Sequence, residues 1–235
     1  MGLADLHMHT IYSYDGTASV SAVLRRAKQV GLDVIAITDH DEIKGALKAL
    51  ELAPSYGIEV IPGIEITTAE GDLLALNITE VVEPNLSLEE TVLKVGALGG
   101  FCIAPHPMAR VPGMKALSAY SILKALRNPA VAEILIGIET YNATSLDGLS
   151  NHYAHILASR LKIAKTGSSD AHIVETIGFG TTEFAGHSAQ DLIKALHNCH
   201  TNVRRHKEWS AFRILGSWAA HYAVSAFTRL GMAAQ

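Results

Sequence analysis

The chain has 235 residues, of which 49% are hydrophobic and 18% charged, with 19 Gly, 7 Pro and a formal net charge of −4. That balance excludes disordered and fibrous classes, and a chain of this length buries a core without disulfide or metal staples. The charge is uneven: residues 1–200 hold 14 Lys+Arg against 22 Asp+Glu, whereas 201–235 hold 5 against 1. An acidic body argues against broad or stable nucleic-acid binding.

In chain order, apolar runs of strand length fall at 3–7, 33–38, 59–65, 72–78, 101–105, 135–141 and 162–168. Helical periodicity fills most of the gaps. A helix over 19–30 opens on Ser19 and stops at Gly31, and one over 41–56 stops at Gly57. A third, over 87–98, carries Ser87 and Glu90 in capping-box spacing before Gly99-Gly100. Others fit 116–127, 148–160 and 188–198. Alternating strands and helices imply parallel β-α units, closed into a barrel or laid out as a doubly wound sheet. The only compositional break is near Thr201, so one α/β domain over 1–200 and a basic, apolar helical tail over 201–235 are expected. Cys102 and Cys199 are too few for a secreted disulfide framework, and the first five residues resemble no signal peptide. A cytoplasmic location is the expectation.

Twelve histidines are the oddity of the composition. Asp5-Leu6-His7-Met8-His9 ends the first run, and period-two alternation sends His7 and His9 to one side. Later runs end in Thr38-Asp39-His40-Asp41, Gly63-Ile64-Glu65, Ala104-Pro105-His106-Pro107, Gly137-Ile138-Glu139 and Gly167-Ser168-Ser169-Asp170-Ala171-His172. Asp15 lies just after the first run. Six strands thus deliver His, Asp or Glu at their carboxyl ends, the rim where α/β barrels build active sites. Imidazole and carboxylate are ligands for divalent zinc, manganese or iron, so a polynuclear metal site is expected. The plainer alternatives are a capping or turn role for Asp15 and Glu65, and an ion pair with a neighbouring base for Glu139. Asp41 suits the N-cap of the next helix, and Asp39 suits a carboxylate that orients a ligand histidine.

These motifs, in this order over residues 3 to about 183, resemble those of the polymerase-and-histidinol-phosphatase (PHP) superfamily. The resemblance implies a distorted (β/α)7 barrel carrying two or three divalent metals. By its pattern His7, His9, Glu65 and Asp170 hold the first. Glu65 bridges to a second, shared with His106 and whatever occupies position 139, and Asp15, His40 and His172 hold a third. Glu139 departs from the pattern, since many members place His or Cys there. Only about 40 residues separate Glu65 from His106, which leaves no room for the inserted domain of larger members.

The expected reaction is hydrolysis of a phosphate ester by a metal-bound hydroxide, the metals clamping phosphate oxygens and stabilising the leaving alkoxide. No nucleophile elbow, Walker loop or dinucleotide fingerprint competes with that reading. Asp15, His40 and His172 are the expected catalytic groups, with Arg110, four residues after His106, as the donor to a phosphate oxygen. His187 is weighed as a rim residue against a residue opening the next helix, and Asn142 as a substrate contact. The expected substrate is a small phosphorylated metabolite, a nucleoside phosphate or bisphosphate. Alternatives are a histidinol-phosphate phosphatase, a 3′–5′ exonuclease, and a non-catalytic metal-binding module recruited through its tail. In that tail Trp209, Phe212, Leu215, Trp218, Tyr222, Ala226 and Leu230 recur at helical spacing. A helix packed on the barrel or in a homo-oligomer contact is one reading, and a peripheral membrane contact through 205–235 is the other.

Overall fold

A computed structural model describes residues 1–111, 114–145, 148–206 and 209–233, with the side chains of 227 and 229–233 outside the description. Leu230 of the expected tail stripe, and the parts of the 205–235 segment at 207–208 and 234–235, therefore lie outside the described residues. The strands are β1 (Gly2–Asp5), β2 (Val34–Ile37), β3 (Glu59–Thr67), β4 (Asp72–Leu76), β5 (Phe101–Ala104), β6 (Leu135–Asn142), β7 (Ala164–Ser168), β8 (Gly180–Phe184) and β9 (Asn202–Arg205). The helices are α1 (Val20–Gln29), α2 (Lys44–Leu52), α3 (Leu88–Ala97), α4 (Ala119–Ala125), α5 (Pro129–Ile134), α6 (Leu149–Ser159), α7 (Ala189–His197) and α8 (Ala211–Ala233).

Among the described residues nine strands join one sheet in the order β7-β6-β5-β4-β3-β2-β1-β8-β9. β1, β2 and β3 are parallel, as are β5, β6 and β7. β4 runs antiparallel between the two sets, and β8 and β9 extend β1 in antiparallel fashion. The sheet curls until its ends nearly meet. Across that seam Gly167 N donates to Thr182 Oγ1, and the same hydroxyl donates back to Gly167 O, both at 3.0 Å. Gly167 is required there: a Cβ would sit 2.8 Å from Thr181 O. Past the seam, His9 N donates to Ala171 O at 2.9 Å.

The expected barrel is thus present, with three corrections. The run at 72–78 is not a parallel strand, because residues 68–71 turn the chain straight back into a β3–β4 hairpin. β8 was unread because Gly-Thr-Thr-Glu-Phe carries no apolar run, and α5 because it is under two turns long. The compositional break at 201 is not the edge of the sheet, since β9 lies beyond it and pairs with β8.

Alternate strand residues face two cores. Val34 and Ala36 point into the barrel, while Ile35 and Ile37 point toward the surrounding helices. α7 supplies Leu192, Ala195 and Leu196 to the inner core, and its first turn meets the start of β3, where Ala189 N donates to Glu59 Oε2. It therefore plugs the amino-terminal end of the parallel strands and leaves the carboxyl-terminal end for chemistry. Serine caps open α1 and α3 where the sequence placed them, α3 with the full Ser87/Glu90 box. Asp41 is not a cap: α2 starts after Ile43, and the Asp41 carboxylate instead accepts from Thr67 N at 2.8 Å. Among the described residues no helix is long and apolar enough to cross a membrane.

Burial pushes the Cys102 thiol on β5 far above its ordinary range, whereas Cys199 is half-buried beyond α7. A thiol reagent should label Cys199 in the folded protein and reach Cys102 only on unfolding. Equal labelling rates would contradict this packing.

Candidate metal centre

The parallel strands end on one rim, and charged or imidazole side chains gather there, some from the strands themselves and some from the chain just beyond them. His7 and His9 follow β1, His40 follows β2, and Glu65 lies within β3. His106 follows β5, and Asp170 and His172 follow β7. Glu65 is the hub. Its Oε2 lies 3.1 Å from His7 Nε2, 3.3 Å from His9 Nε2 and 3.3 Å from His40 Nδ1, while its Oε1 lies 2.9 Å from His106 Nε2. Asp170 Oδ1 is 3.4 Å from His7 Nε2 and 3.3 Å from His9 Nε2. Asp15 Oδ2 meets His172 Nε2 at 3.1 Å and His40 Nε2 at 3.4 Å.

Among the described residues three sets of donor atoms come close enough to share a cation: His7, Glu65 and His106; His7, His9 and Asp170; and His9, Asp15, His40 and His172. The first two are fully buried, and the third opens toward solvent. The donors fit a metal better than they fit one another. His9 Nε2 and Asp170 Oδ1 are buried 3.3 Å apart, yet neither has a partner in hydrogen-bond geometry. Buried polar atoms without partners are rare, and two aimed at a common centre are what a cation would satisfy.

The electrostatics are mutual. Burial works against charge on Glu65, but His7 and His40, with hydrogen bonds from His106 and His7, hold its carboxyl well below the usual range. Burial likewise opposes charge on Asp170, and His7, His9 and His172 overcome it. Against its own burial, His7 is raised well above an ordinary histidine by Asp170, Glu65 and Glu139.

Neighbouring groups orient the donors. The His172 ring places Nδ1 3.0 Å from Asp170 O, which turns Nε2 toward Asp15. Asn142 is buried rather than exposed to substrate, and its Nδ2 donates to Glu139 Oε2 and Asp170 Oδ2 at 2.9 and 3.0 Å. Asp39 orients no histidine: its carboxylate accepts from Thr10 N and Thr10 Oγ1, fixing the loop after His9. His106 and Asp170 adopt positive φ, 27° and 51°, conformations that non-glycine residues keep only where the surroundings hold them.

Glu139 stands apart from the other expected ligands, belonging to none of the three donor sets. It is fully buried, with Oε1 3.3 Å from His7 Nδ1 and Oε2 accepting from His106 N at 2.7 Å. It braces two donors from behind. Arg110 is exposed in the loop after His106 and does not line the cavity over the centre. His187 is at the opposite end of the barrel, its Nδ1 2.8 Å from Asp33 Oδ1 ahead of β2, so it opens α7 and lies away from the rim.

A cavity of about 390 Å³ covers the donors. Among its residues that were unread in the sequence as part of the site, Asp72, Tyr14 and Trp218 make polar or ring contacts there. Asp72, which opens β4, is buried with Oδ1 unpartnered, and burial with help from Glu65 pushes its carboxyl up to about 6. Tyr14 stacks on His40 with ring centroids 5.0 Å apart. Trp218 of α8 donates from Nε1 to Asp15 O at 2.9 Å, laying the helix across the mouth.

Comparison with known proteins gives matches over much of the chain. The PHP domain family matches residues 5–93, and a PHP-associated family matches residues 148–201. The uncharacterized protein MJ1587 of Methanocaldococcus jannaschii is 37% identical over 161 residues, covering 64% of this chain and 88% of that one. A phosphoribosyl 1,2-cyclic phosphate 1,2-diphosphodiesterase of Eggerthella lenta is 38% identical over 65 residues, 28% of this chain and 24% of its own length. Among solved structures, a two-domain protein from Bacteroides vulgatus, described as containing a PHP-like metal-dependent phosphoesterase, superposes with a TM-score of 0.67 at 21% identity. That superposition covers 87% of this chain and 64% of the Bacteroides chain.

Proposed function

This chain belongs to the PHP domain family, and on that premise we propose that it is a metal-dependent hydrolase of phosphate esters in small phosphorylated molecules. The observation that carries the proposal is the convergence of buried imidazole and carboxylate donors at one rim, with His9 Nε2 and Asp170 Oδ1 buried at its centre without a hydrogen bond. The names of the Eggerthella and Bacteroides relatives support the same chemistry. In this reading His7, His9, Glu65 and Asp170 hold one cation. Glu65 and His106 hold a second, and Asp15, His40 and His172 a third. All these donors are nitrogen or oxygen, a set that accepts zinc, manganese or iron(II). Divalent cations so placed would polarise the phosphate and make a water nucleophilic at neutral pH.

The chain's own groups do the rest. Glu65, charged and central, keeps the histidines gathered about one point. Glu139 and Asn142 fix His7, His106 and Asp170 from behind, and α8 covers the mouth and limits water. The half-buried set of Asp15, His40 and His172 is the part of the centre nearest the entrance, where a phosphate would arrive first.

Phosphate release should vanish on metal stripping and return with zinc, manganese or iron(II). The panel is nucleoside monophosphates, 3′,5′-bisphosphates, histidinol phosphate, an aryl phosphate and a short oligonucleotide. Asp170→Ala should abolish the restored activity. Stoichiometric metal with silence across the panel would sink the hydrolase reading and favour a metal-binding module.

A further inference from the structure

The cavity has two unlike sides. One is the donor rim with Asp72 beside it. The other is built by the loop after His106 and by α8, from Val111, Met114, Ile214, Leu215 and Trp218. Among the described residues no Lys or Arg lines it. The described cations of the tail are engaged elsewhere: Arg204 with Glu183, Arg205 over the Tyr141 ring, and Arg213 over the Trp209 ring at 3.9 Å. Trp218 is held in place by its bond to Asp15 O and by Tyr222, whose ring centroid is 5.0 Å away.

This asymmetry constrains what fits. One phosphate would be balanced by cations at the rim. A second phosphate would leave water for a surface of Ile, Leu, Met and Trp in a cavity whose lining adds the Asp72 and Asp15 carboxylates and no Lys or Arg among the described residues, an uncompensated desolvation. An apolar organic group on the same surface releases water from both faces. We propose that the site selects esters carrying a single phosphate and a flat, apolar organic group, and that Trp218 on the α8 wall is the specificity-determining contact. The inference rests on the hydrolase reading of this same site. It narrows the expected substrates away from bisphosphates.

Two non-hydrolysable probes separate the two readings. With the metal-loaded full chain, phenylphosphonate should bind about tenfold more tightly than methylphosphonate, the expected worth of a partly buried ring. Trp218→Ala should erase that preference, and Trp218→Phe, which keeps an aromatic face but loses the bond to Asp15 O, should restore part of it. In turnover, benzyl phosphate should exceed glycerol 1-phosphate in kcat/KM, with the difference in KM, because both leaving groups are alkoxides. Should Trp218→Ala fail to fold, Ile214→Lys serves instead: a cation in the wall should weaken phenylphosphonate and favour a nucleoside 3′,5′-bisphosphate. Equal binding of the two phosphonates by the unaltered protein overturns the inference, as does a bisphosphate that outcompetes the matching monophosphate. A phenyl preference with no ester hydrolysed would leave the wall standing and remove the hydrolase reading.

Discussion

Glu65→Gln is expected to abolish stoichiometric metal at the buried donor sets and to lower phosphate release by on the order of 10³-fold, the size of several kcal/mol of lost charge stabilisation. The substitution is nearly isosteric, so packing within β3 survives. What changes is that one carboxylate serves four imidazoles: Oε2 stands within 3.3 Å of His7, His9 and His40, and Oε1 is 2.9 Å from His106. An amide would offer a cation one neutral oxygen where the carboxylate offers two charged ones, and its NH2 group would face at least one histidine nitrogen. Metal content by elemental analysis and phosphate release give independent readouts. Full metal occupancy in the variant would mean that Glu65 is not the bridge.

Glu139→Gln should act without touching a cation. Three donors converge on two oxygens: His7 Nδ1 at Oε1, and His106 N and Asn142 Nδ2 at Oε2. A glutamine supplies one oxygen and turns an NH2 against at least one of these donors. The unmatched buried group should cost about 1–3 kcal/mol of stability. Loss of the carboxylate behind His7 should weaken metal binding roughly 10–100-fold, the usual effect of removing a ligand's orienting partner. Thermal melting with and without metal, alongside a metal titration, separates the two effects. Were Glu139 itself a ligand, the variant would lose one metal equivalent outright instead of binding all of them more weakly.

Much of the barrel was legible because its parallel strands are continuous apolar runs with capped helices between them, and because the rim motifs follow those runs directly. His7, His9 and Glu65 could be assigned to one rim from period and strand ends alone. Asp72 could not. Read as the start of a parallel strand it belongs to the far end of the barrel, and only the antiparallel course of β4 returns it to the rim. No local signal in 72–78 reports strand direction, which the short 68–71 turn decides. Glu139 shows the converse limit. Its strand position was right, but whether a carboxylate faces the cavity or the back of a histidine depends on a β6 register shift next to it. Arg110 was placed by sequence distance from His106, and a loop of irregular backbone does not convert that distance into direction.

The seam between β7 and β8 gives the donor arrangement a second role. The backbone ladder is interrupted there, and the two edges are tied by the Thr182 hydroxyl and by Ser169 Oγ, 3.4 Å from His7 O across 162 residues of chain. His7 and His9 belong to one edge, Asp170 and His172 to the other. A cation bound among them would join the first and last strands that build the rim. Because such an ion is held only once the two edges are together, it would stabilise the closed form by mass action, about 2.7 kcal/mol at a metal concentration one hundred times Kd. Removal of metal by a chelator should therefore loosen the closure of the barrel, and an ion bound there would fasten the chain topology as well as serve the chemistry.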